Sequence, residues 1–456
     1  MDRPSGRGLH VERPGKQADD GLQTTHYRLR QLATVYIFLV GFLSIVAQVI
    51  LLRELSAAFY GVDLIYLLAL GAWLFWTAIG AVLGRSRGAE RRSPNATRVG
   101  VLLVAAGLTV PLGVVLVRRL RLLLGGVPGA YLPLPVQIGA SAFCLLPASV
   151  LLGLLFQWTV KRYLAASNPA EAGSHGADRR RRSGSETRRA AVSADTLHPD
   201  AGPIDLDDGT DIRPTGRSLA RAYAIESAGA VAGGLATTWA LHARVSTFAL
   251  ALVAAAVTFA AALFARERRA MSSGTGPQPR HSPARRVVPA FALGGLLASA
   301  IAGWNAAALD RWMTSWNHPD GVDVIDSPYG RVTIAERAGQ VTVYENDVLV
   351  LDSEGTAPEE LAHLSLLQHA APRRVLLLGG AGAGLLSAVE QHAVPVIDDV
   401  ELDARVIEGL ARHLGADFRT ALSSPRVHLS FDDPRRAIAT TAATYDVIVV
   451  AAARVR

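Results

Sequence analysis

Residues 374–403 read RVLLLGGAGAGLLSAVEQHAVPVIDDVELD, and this stretch decides the fold of the C-terminal part of the chain. Residues 375–378 form an apolar run that leads into a glycine-rich turn, and residues 385–392 then have a helical pattern. A second predicted strand, residues 395–400, ends in Glu401, Leu402 and Asp403. Strand, glycine turn, helix and strand in this order are typical of a βαβ unit with two parallel strands.

The same alternation continues after this unit. Residues 404–413 predict a helix, residues 426–430 a strand that ends in Asp432 and Asp433, and residues 445–450 a fourth strand. The sequence therefore predicts a Rossmann-like, methyltransferase-type α/β domain over residues 371–456. Ligands of such sheets bind at the carboxyl ends of the strands.

A smaller β-rich region precedes this domain. Short alternating runs at residues 322–325, 331–335, 340–344 and 348–351 predict strands, and Glu345-Asn346-Asp347 separates the last two as a hairpin turn. Residues 359–369 then predict a helix. We expect residues 322–370 to form a β-hairpin region with one helix, placed beside the α/β domain.

The strand ends carry the candidate site. The glycine residues of the turn would let a ligand approach the backbone and the N-terminus of the next helix; they are Gly379, Gly380, Gly382 and Gly384. Glu401 is placed to accept hydrogen bonds from both hydroxyls of a ribose. Asp432 or Asp433 could accept one from an adenine amine. A glycine turn alone can be merely a tight turn, but three such elements in order predict an adenosyl nucleoside site.

The first two thirds of the chain have a different composition. Half of the 456 residues are hydrophobic and 19% are charged, and the mean hydropathy is +0.26. The charged residues cluster between long uncharged stretches, which is the pattern of a chain solvated largely by lipid. The single cysteine, Cys144, excludes an intrachain disulfide and a thiolate metal cluster, and no metal site is predicted.

The uncharged stretches predict a multi-pass α-helical membrane bundle. Seven stretches reach about 20 residues, the length that spans a bilayer; they are residues 33–52, 64–84, 99–117, 136–158, 222–241, 246–264 and 287–309. Spans 1–4 occupy residues 31–160, spans 5 and 6 residues 218–265, and span 7 residues 287–309. Three polar segments are predicted to be disordered: the tail 1–30, the charged loop 161–217 and the basic loop 266–286.

The charge distribution and the small residues indicate what the helical part of the chain binds. The sequence pI is about 9.8, but most excess charge is arginine beside hydrophobic spans, so the predicted partner is the lipid bilayer and not nucleic acid. Pairs such as Gly80 with Gly84 let helices pack closely. Helix association of this kind is compatible with a homo-oligomer.

The arginine distribution conflicts with a cytoplasmic nucleoside site. Arg85, Arg98 and the two long loops mark one side as cytoplasmic, and seven spans then place the C-terminal domain outside. An extra crossing around residues 120–135, or a seventh stretch that does not cross, would resolve this. We expect a multi-pass protein of the plasma or inner membrane with a cytoplasmic C-terminal domain, because adenosyl nucleosides are found there.

From about Asp326 onward the sequence resembles the polyamine aminopropyltransferases, the spermidine synthase family, and most of all its membrane-fused branch. The similar stretches are residues 326–332, Tyr344-Glu345-Asn346, residues 359–369, 378–384 and 400–403. The first span with Gln48, Arg53, Glu54 and Leu55, and the fifth with Tyr223, Glu226, Gly229 and Gly233, also resemble this branch.

The resemblance implies aminopropyl transfer, with decarboxylated S-adenosylmethionine as a substrate, a polyamine as acceptor and no tightly bound cofactor. It assigns the ribose role to Glu401 and the adenine-side role to Asp433, and it leaves Tyr329 and Glu359 as remnants of the amine side. Other amine-side positions of the family are Gly330, Gly382 and Pro358 here, and the catalytic aspartate position is Ala451. No catalytic residue is therefore predicted.

These departures leave three functions open. The first is an impaired or inactive aminopropyl transferase whose C-terminal domain is truncated, since the family has further strands. The second is a non-catalytic, transporter-like or scaffolding membrane protein with a vestigial nucleotide domain. The third is a methyltransferase that uses S-adenosylmethionine, which would share the glycine turn and Glu401.

Overall fold

The N-terminal part of the chain is a bundle of long helices. The computed structural model describes residues 14–85, 96–127, 131–167, 212–265, 284–327 and 329–451. The long helices in these ranges are α1 (Pro14–Ala58), α2 (Asp63–Arg85), α3 (Ala96–Leu123), α4 (Leu134–Ser167), α5 (Ile212–His242), α6 (Thr247–Phe264) and α7 (Ala284–Trp304). A short helix, α8 (Ala306–Thr314), follows α7.

Close helix contacts in the bundle depend on glycine. A Cβ at Gly229 or Gly233 of α5 would lie 2.0–2.5 Å from the carbonyl oxygens of Phe38 and Phe42 in α1. A Cβ at Gly80 of α2 would lie 2.2 Å from the Val150 carbonyl oxygen in α4. Any larger residue would push these helices apart, so the predicted small-residue pairs do lie at helix interfaces.

Six of the described helices are long and apolar enough to cross a membrane. They are α1, α2, α3, α4, α6 and α7, and they contain six of the seven predicted spans. The remaining span, residues 222–241, lies in α5, which is continuous over 31 residues but less apolar. Many large apolar side chains point outward from the bundle, among them Phe75 (59% exposed), Val82 (68%) and Leu235 (69%).

The helix ends define two opposite faces of the bundle. Halfway along α1, Tyr36 donates a hydrogen bond to the carbonyl of Ala261 at the end of α6. On the same face, Lys161 near the end of α4 donates to the carbonyl of Gly84 at the end of α2. The other face carries the end of α1, the end of α3 and the start of α6, and the C-terminal domain packs there.

Several predicted boundaries differ from the structure. Residues 14–30, predicted as a disordered tail, belong to α1. Residues 161–167 and 212–217, predicted as disordered loop, belong to α4 and α5. The seventh predicted stretch ends early, because helix α7 ends at Trp304 and a separate helix, α8, begins at Ala306. Residues 284–286 of the predicted basic loop belong to α7, and the rest of the predicted disordered segments lies outside the described residues.

The two rearrangements that would resolve the arginine conflict are not seen in the described residues. Residues 120–127 complete α3 and a turn at Gly125, and α4 begins at Leu134. Helix α7 lies alongside α3 and α6, as a crossing helix would. The side of the membrane that the C-terminal domain faces therefore stays a prediction.

The first sheet of the C-terminal part is an antiparallel meander. Its strands are β1 (Gly321–Asp326), β2 (Arg331–Arg337), β3 (Gln340–Glu345) and β4 (Val348–Asp352), in the order β1-β2-β3-β4. Asn346 and Asp347, at the tight turn between β3 and β4, have positive φ angles of 49° and 65°. Asn and Asp tolerate this conformation better than most residues, which explains why the turn forms at the predicted place.

The second sheet is parallel, as the βαβ pattern predicts. Strands β5 (Arg374–Leu378), β6 (Val396–Glu401), β7 (Val427–Phe431) and β8 (Val447–Val450) lie in the order β7-β6-β5-β8. The helices are α9 (Ala357–Leu366), α10 (Leu385–Glu390), α11 (Ala404–His413), α12 (Ala416–Leu422) and α13 (Pro434–Thr440). One apolar core joins the two sheets and contains Ile334, Val343, Val375, Leu377, Leu386, Ile397 and Leu410.

Candidate nucleoside-binding site

The glycine turn lies at the carboxyl end of β5. Gly379, Gly380 and Gly384 have φ angles of 74°, 96° and 84°, a left-handed conformation that other residues adopt only at a cost. The amide of Gly379 donates to the carbonyl of Val400, 2.9 Å away, and this bond holds the turn beside the end of β6. The turn therefore needs glycine for its conformation, and it exposes backbone where a ligand would lie.

Glu401 lies at the end of β6, against this turn. Its Oε1 accepts a hydrogen bond of 2.7 Å from the amide of Ala381 in the turn. No protein donor among the described residues binds its Oε2, which leaves that oxygen for a ligand hydroxyl. The structure thus brings the predicted ribose carboxylate and the predicted glycine turn together.

Glu401 changes its charge near pH 7. Burial raises its pKa to about 7, and repulsion from Glu345 adds to this effect, while the Ala381 amide opposes it. A ribose hydroxyl is bound best by the ionised carboxylate. Ligand binding at this site should therefore depend on pH around neutrality.

Sequence reasoning missed Asp399, two residues before Glu401 on the same face of β6. Its side chain is fully buried, and neither carboxyl oxygen has a hydrogen-bond partner. Burial raises its pKa to about 8, and the nearby Glu401 raises it further. Asp399 is therefore mainly a neutral acid at pH 7. Asp399 alternates with Asp398 and lies on the core-facing side of the strand, between Ile397 and Glu401, and this position was the signal that could have identified it.

The end of β7 contributes the predicted aspartates. The amide of Asp432 donates to the carbonyl of Glu401, 3.0 Å away, so the two strand ends are adjacent. The Asp432 carboxylate pairs with Arg436 at 2.9 Å. Asp433 caps α13 by accepting a hydrogen bond from the amide of Arg435. Both carboxylates have protein partners, and Asp433 is the more exposed of the two.

The amine-side positions are shaped by packing. A Cβ at Gly382 would lie 2.5 Å from Cδ1 of Leu410, so Leu410 occupies the space that a side chain there would need. The Cβ of Ala451 lies 2.5 Å from the place of a Cβ at Gly380. Ala451 thus adjoins the glycine turn but offers it no polar group.

The two remnants of the amine side lie apart in the fold. Glu359 is exposed in the first turn of α9, and the preceding Pro358 lies against Gly384. Tyr329 is half exposed, and its amide donates to the hydroxyl of Ser327. The Ser327 carbonyl accepts from Arg53 of α1. Glu359 therefore stands near the glycine turn, whereas Tyr329 stands at the bundle.

The fold defines a class of protein domain: an α/β domain with a parallel sheet, a glycine turn at a strand end and an antiparallel sheet at its side. Comparison with known families agrees, because the model of the spermine/spermidine synthase domain matches residues 355–453. The C-terminal domain is thus spermidine synthase-like over these residues.

Individual relatives match the same region. Polyamine aminopropyltransferase 1 of Pseudomonas aeruginosa is 39% identical over 92 residues, which cover 20% of this chain and 32% of the relative. The polyamine aminopropyltransferase of Methanocaldococcus jannaschii is 30% identical over 131 residues, 28% of this chain and 42% of the relative. The chain spans between about a third and a half of the length of such relatives.

A solved structure also matches. The spermidine synthase from Thermotoga maritima has 23% sequence identity and a TM-score of 0.28, over 29% of this chain and 47% of that chain.

Proposed function

We propose that this chain is a multi-pass membrane protein whose C-terminal domain binds an adenosyl nucleoside of the decarboxylated S-adenosylmethionine type. The observation that carries the nucleoside proposal is Glu401, which holds the glycine turn through one oxygen and leaves the other free. A carboxylate at this strand end can bind ribose hydroxyls through charge-assisted hydrogen bonds.

The membrane proposal rests on the bundle. Six described helices have the length and apolarity of membrane spans, and side chains such as Leu67, Phe264 and Ile301 are 65–76% exposed on the surface of the bundle. An apolar surface of this extent is costly in water and favourable in lipid. The bilayer is therefore the proposed partner of the bundle.

The proposed chemistry is aminopropyl transfer to a polyamine. The amine nitrogen would attack the propyl carbon beside the sulfonium, the carbon–sulfur bond would break, methylthioadenosine would leave, and the attacking nitrogen would lose a proton. We propose that this chain performs the reaction slowly or not at all. Gly382, Pro358 and Ala451 supply neither a carboxylate to hold the cationic amine nor a base to accept its proton.

Binding tests the nucleoside proposal directly. Isothermal calorimetry on the detergent-solubilised chain should show that methylthioadenosine binds and that Glu401→Gln weakens it at least about tenfold, since hydrogen bonds to a charged group contribute about 1.5–3 kcal/mol each. Glu408→Gln, on the exposed face of α11, is the matched control and should leave the affinity unchanged. Equal affinities for wild type and Glu401→Gln would indicate that the glycine turn has only a structural role.

Two further ligands separate the open functions. Tighter binding of decarboxylated S-adenosylmethionine than of S-adenosylmethionine supports the aminopropyl class, and the reverse order supports a methyltransferase. Binding of neither supports the non-catalytic membrane protein. Release of methylthioadenosine from putrescine and decarboxylated S-adenosylmethionine clearly above the blank would disprove the proposed loss of activity.

The nucleoside proposal requires a cytoplasmic C-terminal domain. The arginine-rich ends of α2 and α4 lie on the opposite face of the bundle, as Arg85 and Arg162 show. By the distribution of arginines alone, the C-terminal domain would lie on the outer side of the membrane. The location of the domain is thus an independent test of the proposed ligand.

A further inference from the structure

One turn of the C-terminal domain is held by the helical bundle. Asp347, in the turn between β3 and β4, forms an ion pair of 3.2 Å with Arg121 near the end of α3. His318 contacts the other oxygen of the same carboxylate at 2.5 Å. The next residue, Val348, is 4% exposed and packs within the apolar core of the bundle. The tip of the hairpin is therefore inserted into the bundle.

Arg121 is built into this position. Its side chain is 2% exposed, and its guanidinium lies over the ring of Tyr60 at 5.0 Å. It donates hydrogen bonds to the carbonyls of Val127 and Asp347, at 2.8 and 3.3 Å. A buried guanidinium with this many partners has one defined orientation. Arg121 consequently fixes the place of Asp347 relative to α3.

Asn346 pins the turn from its other side. It is 3% exposed, its Oδ1 accepts from the amide of Arg331 at 3.0 Å, and its own amide donates to the Arg331 carbonyl at 2.8 Å. A Cβ at Gly61, between α1 and α2, would lie 2.8 Å from Nδ2 of Asn346. Gly61 thus permits the bundle to approach the turn closely.

A buried ion network fixes the whole antiparallel sheet against the bundle. Glu54, at the end of α1, is 1% exposed and accepts two hydrogen bonds of 2.9 Å from Arg118. It also accepts two from Arg331 of β2, at 3.1 and 3.2 Å. Asp310 of α8 pairs with Arg118, and Asp326 with Arg331, so each charge in the network is compensated.

The same hairpin also reaches the candidate site, because Cδ1 of Leu351 in β4 lies 3.6 Å from the place of a Cβ at Gly384 in the glycine turn. Repulsion between the carboxylates of Glu345 and Glu401 contributes to the raised pKa of Glu401, so the two groups are electrostatic neighbours. One hairpin thus contacts the bundle through Asp347 and Val348 and the glycine turn through Leu351.

We propose that the bundle is a structural part of the nucleoside site, with Arg121 as the positioning residue that holds the 345–348 turn against Glu401. This inference rests on the proposed nucleoside binding. Arg121 does not touch the ligand; it acts through Asp347. Without it, Asp347 keeps only His318 as a buried partner, and the hairpin, with Glu345, shifts away from the site.

The charged and polar groups around Glu401 determine how its pKa would change if the turn moved. They are Glu345 from the turn, Asp399 from its own strand and the Ala381 amide from the glycine turn. If Glu345 moves away, Glu401 loses one repulsive neighbour and ionises at lower pH. The pH at which nucleoside binding is half-maximal should then fall, which mere destabilisation of the fold would not cause.

The first test needs no ligand. Hydrogen exchange measured by mass spectrometry on the detergent-solubilised full chain should show amides of residues 340–352 exchanging at least about fivefold faster in Arg121→Ala than in wild type. Arg119→Ala is the matched control, because Arg119 is the exposed neighbour that stacks on Trp316. Arg121→Lys, which keeps the charge, should restore part of the protection. Unchanged exchange in Arg121→Ala would overturn the proposal.

The second test measures methylthioadenosine affinity between pH 5.5 and 8.5 in the same variants. Above about pH 8, where Glu401 is ionised in both proteins, Arg121→Ala should bind roughly tenfold more weakly, about 1.4 kcal/mol, because the glycine turn loses the packing of the hairpin. The binding midpoint of Arg121→Ala should lie at lower pH, and Arg119→Ala should match wild type. If wild type binds no nucleoside, the proposed function fails and the exchange result alone decides whether Arg121 holds the turn. Faster exchange with unchanged affinity and pH profile would refute the link to the site.

Discussion

The replacement Asp399→Asn should stabilise the C-terminal domain at alkaline pH. Asp399 is fully buried without a hydrogen-bond partner, and its pKa is raised from 3.8 to about 8 by burial and by Glu401. Because the folded domain holds this proton more tightly than the unfolded chain does, stability is fully present below about pH 4. It falls as the pH rises and reaches its lower plateau above about pH 8.

The size of the effect follows from the shift. At about 1.4 kcal/mol per pH unit, the raised pKa corresponds to at most on the order of 5 kcal/mol. Water that enters around the ionised Asp399 reduces this penalty. We therefore expect Asp399→Asn to be about 2–3 kcal/mol more stable than wild type at pH 9. Below about pH 4 the two proteins should be nearly equal, because a neutral carboxyl and an amide are similar in size and both lack a partner.

Hydrogen exchange of residues 396–401 provides the assay, with wild type and variant compared at each pH so that intrinsic exchange rates cancel. Asp398→Asn is the matched control on the opposite face of β6. Burial alone would raise the pKa of Asp398, but hydrogen bonds from His428, Arg374 and Tyr445 lower it, so this variant should show no alkaline gain. A wild type and an Asp399→Asn variant with the same pH dependence would refute the reasoning.

Three further predictions concern the bundle and its junction with the domain. The chain should stay in the membrane fraction after an alkaline carbonate wash, because six helices can span the bilayer; recovery in the supernatant would contradict this. A reporter that is active only outside the cell, fused after Arg456, should be silent if the domain binds an adenosyl nucleoside in the cytoplasm; activity would make that ligand implausible. Glu54→Gln should lower the unfolding free energy by about 3 kcal/mol or more, since Arg118 and Arg331 lose a buried counter-charge. Thermal unfolding in detergent would measure this loss, and Asp63→Asn at the exposed start of α2 should change it little.

Local patterns in the sequence were sufficient to predict the parallel sheet and the main features of the candidate site. Apolar strands, left-handed glycines and strand-end carboxylates are properties of short segments, so Gly380, Gly384 and Glu401 could be assigned without knowing the packing. Residues 33–52 and the other long uncharged stretches indicated the helices of the bundle for the same reason, because length and apolarity alone suit them to lipid.

Only the tertiary structure decided which distant groups meet. Glu54 and Arg331 are 277 positions apart, yet they form one buried network, and Arg121 reaches Asp347 across 226 positions. In the sequence alone, each of these residues looks like an ordinary charged residue at a helix end, in a strand or in a turn. The structure also showed that Leu410 fills the space beside Gly382 and that Asp399 is buried beneath Glu401. Burial and charge pairing depend on which surfaces pack together, and local sequence determines neither.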